Sequence, residues 1–241
     1  QHNENIGYYH FAHSYVRGPW NNEQTSGPLT LTKSCHDMDI LLYLLGGASC
    51  QSIASVGGLS VFRRERYDPD TMAPMCVDCP QKDACAYSAP RLYGSGKIRS
   101  VVFDLSSVDK VRESLGNSPY GRCVYACDNN VADHQATAIR FDNGVTATFN
   151  LSAFTAKVNR SLKVMCQFGE IRAIEKPYLI ETTDFRTDET NVIELDVRER
   201  GHGGGDSAFV RDFMESYLQG APFSSTLEQS LESHAMALLA E

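Results

Sequence analysis

Between positions 33 and 46 the apolar residues fall on a helical period. Met38, Leu41, Leu42 and Leu45 sit at i, i+3, i+4 and i+7, so one apolar stripe turns toward a core. His36, Asp39 and Tyr43 share the other flank, at spacings of three and four. Ser34 suits the N-cap, Asp37 can return a hydrogen bond in a capping-box pattern, and Gly46-Gly47 ends the helix. A second amphipathic pattern, at 207–218, gathers Phe209, Val210, Phe213, Met214 and Tyr217 on one side and stops at Gly220. Thr226 and Gln229 make a capping box for a terminal helix.

Two-residue alternation marks the strands. Tyr9, Phe11, His13, Tyr15 and Arg17 alternate within 6–17, which predicts a strand with His10 on its other face. Residues 131–141 and 145–153 flank Asn143-Gly144, the strongest hairpin signal in the chain. Further strands are predicted at 161–167, 170–182 and 191–198. Residues 63–97 hold prolines, an arginine-rich run and three cysteines without either period, and read as an irregular insertion. Helices early and late, with strands gathered between them, predict an α+β fold: a largely antiparallel, open-faced sheet with helices packed on one face. No repeat or low-complexity linker divides the chain, so residues 1–241 read as one domain.

Composition narrows the function classes. At 241 residues and 42% hydrophobic, the chain can bury one substantial core. A formal charge of −8, with no basic block to offset it, argues against a nucleic acid or an anionic membrane as partner. No apolar run approaches membrane-spanning length, and no signal-peptide pattern opens the chain. The eight cysteines are clustered and too few for a disulfide scaffold, which suggests a reducing, cytoplasmic compartment. Gln1 at the start, and an apparent helix at the end, read as a fragment of a longer protein.

Several groups of residues carry candidate chemistry. His36, in the first turn of its helix, feels the positive end of the helix dipole, which favours the neutral, proton-accepting imidazole. The competing reading is a helix-start histidine satisfied by a neighbouring backbone group. His13, Tyr15 and Arg17 on one predicted strand face, with Trp20 just beyond, form a candidate sugar-binding wall of aromatic faces and hydroxyl donors; a half-buried strand with a polar edge is the alternative. Asp133-His134-Gln135 opens a hairpin strand, so at most one side of that triplet lines a pocket. Cys76-x2-Cys79-x5-Cys85 has the spacing of a thiolate metal site, with Cys123 or Cys127 as the fourth ligand of a structural zinc. Free thiols or a disulfide are the alternatives.

Gly201-His-Gly-Gly-Gly-Asp206 fails as a dinucleotide fingerprint. Asp206 stands where the third glycine belongs, and its carboxylate would repel a pyrophosphate. Asp206 is better read as an N-cap. His202 then lies either on a capping loop or on a loop that touches a substrate hydroxyl. With no other such glycine pattern, the chain has no phosphate cradle of its own.

The run His36-x-x-Asp39, its aliphatic stretch and Gly46 resemble the Gfo/Idh/MocA oxidoreductases. So do His10-Phe-Ala-His-Ser-Tyr-Val-Arg-Gly-Pro-Trp20, Asp133-His134-Gln135 and the glycine-rich stretch 201–206. The resemblance implies the second, substrate-binding and oligomerising domain of such an enzyme, its free sheet face making contacts in a homo-oligomer. It implies a preceding Rossmann domain that binds NAD or NADP, a sugar or cyclitol substrate, and His36 as the proton-transfer residue beside the nicotinamide. Asp39 would orient the imidazole or cap the first turn. Many members carry an aspartate four residues before the histidine; here Thr32 takes that place, with Lys33 beside it as a substitute donor to the substrate oxygen. Glu175-Lys176-Pro177 matches the family's catalytic-lysine triplet in letters only, because it lies far downstream, and it is assigned no role. Two other readings stay open: an NAD-dependent glycosidase of the same fold, and a non-catalytic regulatory or binding relative, which Thr32 favours.

Overall fold

The structure, a computed structural model, describes residues 1–98, 104, 106–197 and 204–241. Its centre is an eight-stranded sheet in the order β2-β3-β4-β1-β5-β6-β7-β8. The strands are β1 (His2–Asn5), β2 (Cys50–Gly58), β3 (His134–Phe141), β4 (Thr146–Ser152), β5 (Asn159–Cys166), β6 (Gly169–Ile174), β7 (Leu179–Asp184) and β8 (Glu189–Glu194). Neighbours are antiparallel except β1 and β4, which run parallel. The predicted α+β class and its largely antiparallel open sheet are what the chain adopts.

Helices α1 (Tyr8–Phe11), α2 (Glu23–Ser26), α3 (Leu29–Thr32) and α4 (Cys35–Leu44) precede β2. Helices α5 (Ala89–Gly94) and α6 (Val108–Gly116) lie between β2 and β3, and α7 (Gly205–Gln219) and α8 (Leu227–Leu239) follow the sheet. Met38, Leu41 and Leu42 of α4 are buried as their spacing requires, and α4 packs along α8. Beneath them, β3 and β4 alternate strictly, turning Ile139, Phe141, Phe149 and Leu151 into the core. Asn143-Gly144 makes the predicted hairpin, with Gly144 at φ 84° and the Val145 amide donating to Asn143 Oδ1 at 3.0 Å. The capping box of α8 also forms, Thr226 and Gln229 each bonding the other's backbone.

Residues 6–17 are not a strand. β1 ends at Asn5, Gly7 breaks the chain at φ 82°, and α1 runs directly into a π-helical turn at Ala12–Arg17. The alternation concealed a better helical pattern, since Phe11 and Tyr15, and Ala12 and Val16, are spaced by four and all four are buried. The predicted strand 170–182 is two strands, β6 and β7, broken at Glu175-Lys176-Pro177, where Lys176 takes φ 67°. Of the strand predicted at 191–198, β8 supplies the first part, and residue 198 lies outside the described residues.

Two predicted caps are also corrected. Ser34 occupies the N-cap position of α4 without a side-chain bond, because its backbone carbonyl rather than its hydroxyl accepts from the Asp37 and Met38 amides, each at 3.0 Å, and the Asp37 carboxylate faces inward instead of returning a cap bond. Gly204, at φ 92°, holds the N-cap position of α7, and Asp206 falls in the first turn. The apolar residues predicted to pack α7 stay outside: Phe209, Val210, Phe213, Met214 and Tyr217 are all exposed. The insertion at 63–97 is irregular apart from a short 3₁₀ turn, Arg64–Arg66, and α5.

Since Met38 is fully buried in the α4 stripe, Met38→Ala should cost about 2–5 kcal/mol, the range for a large-to-small core change. Tyr43→Ala, on the exposed flank, should change stability by less than about 0.5 kcal/mol. Urea unfolding of the two variants beside the parent checks both.

Candidate active site

The start of α4 is held down from beneath by charge. Asp37 is fully buried, and its Oδ1 accepts from His2 Nε2 of β1 and from Arg160 Nε of β5, each at 2.8 Å. Arg160 Nε also reaches Glu4 Oε2 of β1 at 2.7 Å, and Lys33 Nζ meets the other oxygen of Glu4 at 2.8 Å. Two carboxylates thus face two permanent cations inside the protein. Burial pushes the Glu4 carboxyl up, against the pull of Lys33 and Arg160. Burial acts on Asp37 in the same direction, yet the His2 hydrogen bond and the Arg160 charge hold its carboxyl below the ordinary value.

Above this network the helix presents its chemistry. His36 is exposed in the first turn, its Nδ1 3.7 Å from Cys35 Sγ, with Asp39 half-buried one turn on. Lys33 is anchored by Glu4 rather than extended into solvent. Thr32 Oγ1 donates to the Pro28 carbonyl at 3.1 Å, an internal bond of α3 that leaves no acid at that place.

The candidate sugar wall is divided, because a helix turns its side chains outward in different directions where a strand would align them. Tyr15 is buried against Phe11 and Trp20, with ring centroids 5.4 and 5.8 Å away, and Trp20 is itself 44% exposed. Burial raises the Tyr15 hydroxyl, reinforced by the charges of Glu4, Cys35 and Asp37, which places this tyrosine in the electrostatic reach of the α4 start. His13 goes elsewhere: it stacks on Tyr120 at 4.6 Å, and its Nδ1 meets the Tyr93 hydroxyl at 2.6 Å. Arg17 is buried, donating through Nε and Nη2 to the carbonyls of Arg122 and Tyr87 at 2.6 Å each. His202 lies outside the described residues.

His10 is the residue that the strand reading turned away. It is half-buried, edge-on to Tyr15 at 6.0 Å, and pushed down to about 4 by burial, then by Lys33 and His13. Its spacing of four from Ser14, whose Oγ lies 3.5 Å from its Nδ1, was the available helical signal. His2, Glu4 and Arg160 were missed because β1 is only four residues long and its partners are remote in sequence. Asp133 proves structural, accepting from the Ser60 and Val61 amides at 2.9 and 2.7 Å and from His134 at 2.8 Å.

The four predicted zinc ligands, Cys76, Cys79, Cys85 and Cys123, do line one cavity of about 30 Å³. As they stand they do not form a chelating set: among the described residues no group of three His, Cys, Asp or Glu side chains could hold a metal ion. The expected zinc is therefore not supported, since the thiols surround the cavity without converging.

Residues 3–240 match the oxidoreductase-family C-terminal α/β domain. The chain belongs to the Gfo/Idh/MocA family. A Bacillus subtilis relative, YteT, whose assignment as an oxidoreductase is provisional, is 23% identical over 221 residues, covering 86% of this chain and 51% of that protein. Among solved Gfo/Idh/MocA structures, levoglucosan dehydrogenase in complex with NADH and levoglucosan superposes with a TM-score of 0.58 at 12% identity, over 99% of this chain and 53% of that one. UDP-N-acetylglucosamine 3-dehydrogenase from Acidithiobacillus ferrooxidans gives 0.54 at 13% identity, over 98% and 50%. At these identities the two structures share the fold. The chain spans about half the length of each of these relatives.

Asp37→Ala would leave His2 without its carboxylate and Arg160 with Glu4 and the more distant Glu175 as its remaining acids, and should cost about 3–5 kcal/mol in chemical denaturation. A loss below about 1 kcal/mol would show that the network carries little of the fold. A second expectation concerns pH. His13 is pushed down to about 4 from an ordinary 6.5, by burial and then by Arg17. Between these values the unfolded chain takes up the proton first, so this group's contribution to stability is full above pH 6.5 and is lost as pH falls toward 4. Glu4, raised by burial, acts in the opposite sense. The measurement is therefore the melting-temperature difference between the parent and His13→Gln, which should shrink on acidification.

Proposed function

We infer that this chain is the substrate-binding and oligomerising domain of an NAD(P)-dependent oxidoreductase acting on a hydroxyl or carbonyl carbon of a sugar or cyclitol. The observation that carries the reading is the exposed imidazole of His36 on a helix start whose underside is locked by buried ion pairs. A site residue fixed to a rigid support while its own ring faces solvent is the arrangement that proton transfer to a bound substrate needs. Levoglucosan dehydrogenase, whose solved complexes include ones with levoglucosan and with L-sorbose, supports the sugar class.

Bound nicotinamide would supply a hydride acceptor or donor at C4, and the remainder of the whole protein would hold most of that cofactor. His36 takes the proton that leaves the reacting hydroxyl, in the neutral form that the positive end of α4 favours. Asp39, one turn along, orients the ring. Lys33 offers an N–H to the substrate oxygen while remaining tethered to Glu4, which fixes its position. Trp20, 44% exposed and stacked on the buried Tyr15, supplies aromatic surface for the sugar ring. The far half of the sheet, where Ile171 and Ile193 are exposed on one face, supports self-association through that face.

Thr32, bonded to its own helix, is the observation that favours a non-catalytic relative. Turnover decides between the two. In the whole protein, His36→Ala should lower NADH formation from an accepted polyol about 10²–10⁴-fold, with an unchanged melting temperature, because His36 lies off the packed stripe. Wild-type turnover in that variant would make His36 structural. Absence of turnover in the parent across a polyol and sugar screen, despite cofactor binding, would support the regulatory reading.

A further inference from the structure

The cavity lined by the four thiols contains a guanidinium that has no carboxylate partner among the described residues. Arg17 is 1% exposed, and its partners are two neutral carbonyls and the sulfur of Cys76, 3.5 Å from Nη2. Its Nη1 has no partner. Ser88, 1% exposed and lining the same cavity, also has an unpartnered hydroxyl. Lys82 adds a second cation to the lining, its Nζ donating to the Val77 carbonyl at 3.2 Å. Among the described residues no aspartate or glutamate lines the cavity or pairs with Arg17.

A buried guanidinium without a counter-charge costs several kcal/mol, and a neutral water would satisfy the donors without offsetting that charge. The sulfurs do not converge on a metal position. A volume of about 30 Å³ admits one species the size of a water molecule or a halide.

We propose that this cavity is a binding site for one small monovalent anion of halide size, held by Arg17 Nη1 and Ser88 Oγ. The site is independent of the reading given to His36. Its occupant would neutralise Arg17 and brace the irregular segment that carries Cys76, Cys79 and Cys85, linking that segment to Cys123.

The test uses bromide, a heavier stand-in for chloride. Crystals soaked in bromide should show one anomalous peak within hydrogen-bond distance of Arg17 Nη1 and Ser88 Oγ. At constant ionic strength, the melting temperature should rise as chloride replaces gluconate, which is too large to enter. Ser88→Ala, which keeps the buried charge and is expected to fold, should weaken that chloride dependence about tenfold in affinity, the loss of one hydrogen bond to a charged group. No bromide peak together with melting indifferent to chloride overturns the proposal and leaves the cavity to water. Metal analysis of protein purified without chelator also overturns it if it finds about one zinc or iron per chain, because four thiolates around a metal would then be the counter-charge.

Discussion

The fold depends on one buried carboxylate. Asp37 lies on α4 but bonds to both β1 and β5, so a helix and two strands that are far apart in sequence meet at a single oxygen. β1 is itself the joint of the sheet. It pairs in parallel with β4 on one side and antiparallel with β5 on the other, and without it β2-β3-β4 and β5-β6-β7-β8 would be separate sheets. A strand of four residues offers few ladder hydrogen bonds for that task. The side chains His2 and Glu4, both on the buried face, add ion pairs that the backbone alone could not supply. Removing either carboxylate would take one of the two buried acids from Arg160 and leave His2 or Lys33 without its acid, so the network acts as a unit.

That arrangement also fits the proton-transfer role proposed for His36. A helix start that must move with a substrate could not be tied to two strands. One that must hold an imidazole still gains from it. Lys33, three residues before His36 in the chain, belongs to the buried pairing through Glu4. The same positive charge contributes to keeping His10 neutral, so a half-buried ring near the site can accept or donate a hydrogen bond without acquiring charge.

Local patterns were legible in the sequence, and remote pairings were not. The α4 stripe, the Asn143-Gly144 hairpin and the α8 capping box each depend on residues within a single turn or a few positions, and all three form. His36 was legible as an exposed helix-start histidine because its flank lacks apolar neighbours. β1 was hidden because four residues are too few to show a period, and because a longer accidental alternation at 6–17 drew the strand assignment past Gly7. Asp37 fitted a cap by spacing, and only the distant Arg160 and His2 reveal its real partners. Sequence spacing is silent about a contact that spans more than a hundred residues.

The stretch from His10 to Trp20 shows how one misread period redistributes function. On a strand, His13, Tyr15 and Arg17 would face one sugar. On a helix that loosens to π geometry, Tyr15 turns toward the α4 start while His13 and Arg17 turn toward Tyr93, Tyr120 and the thiol cavity. A motif that looks like one binding wall therefore serves two neighbourhoods. In the first, carboxylates and cations balance inside the protein beneath an exposed imidazole. In the second, a guanidinium is buried among sulfurs and carbonyls with no acid to meet it. The structure pairs Arg160 with two carboxylates and leaves Arg17 with none among the described residues, so the two arginines stand in opposite electrostatic settings, and the anion proposed for the cavity would give the second the partner the first already has.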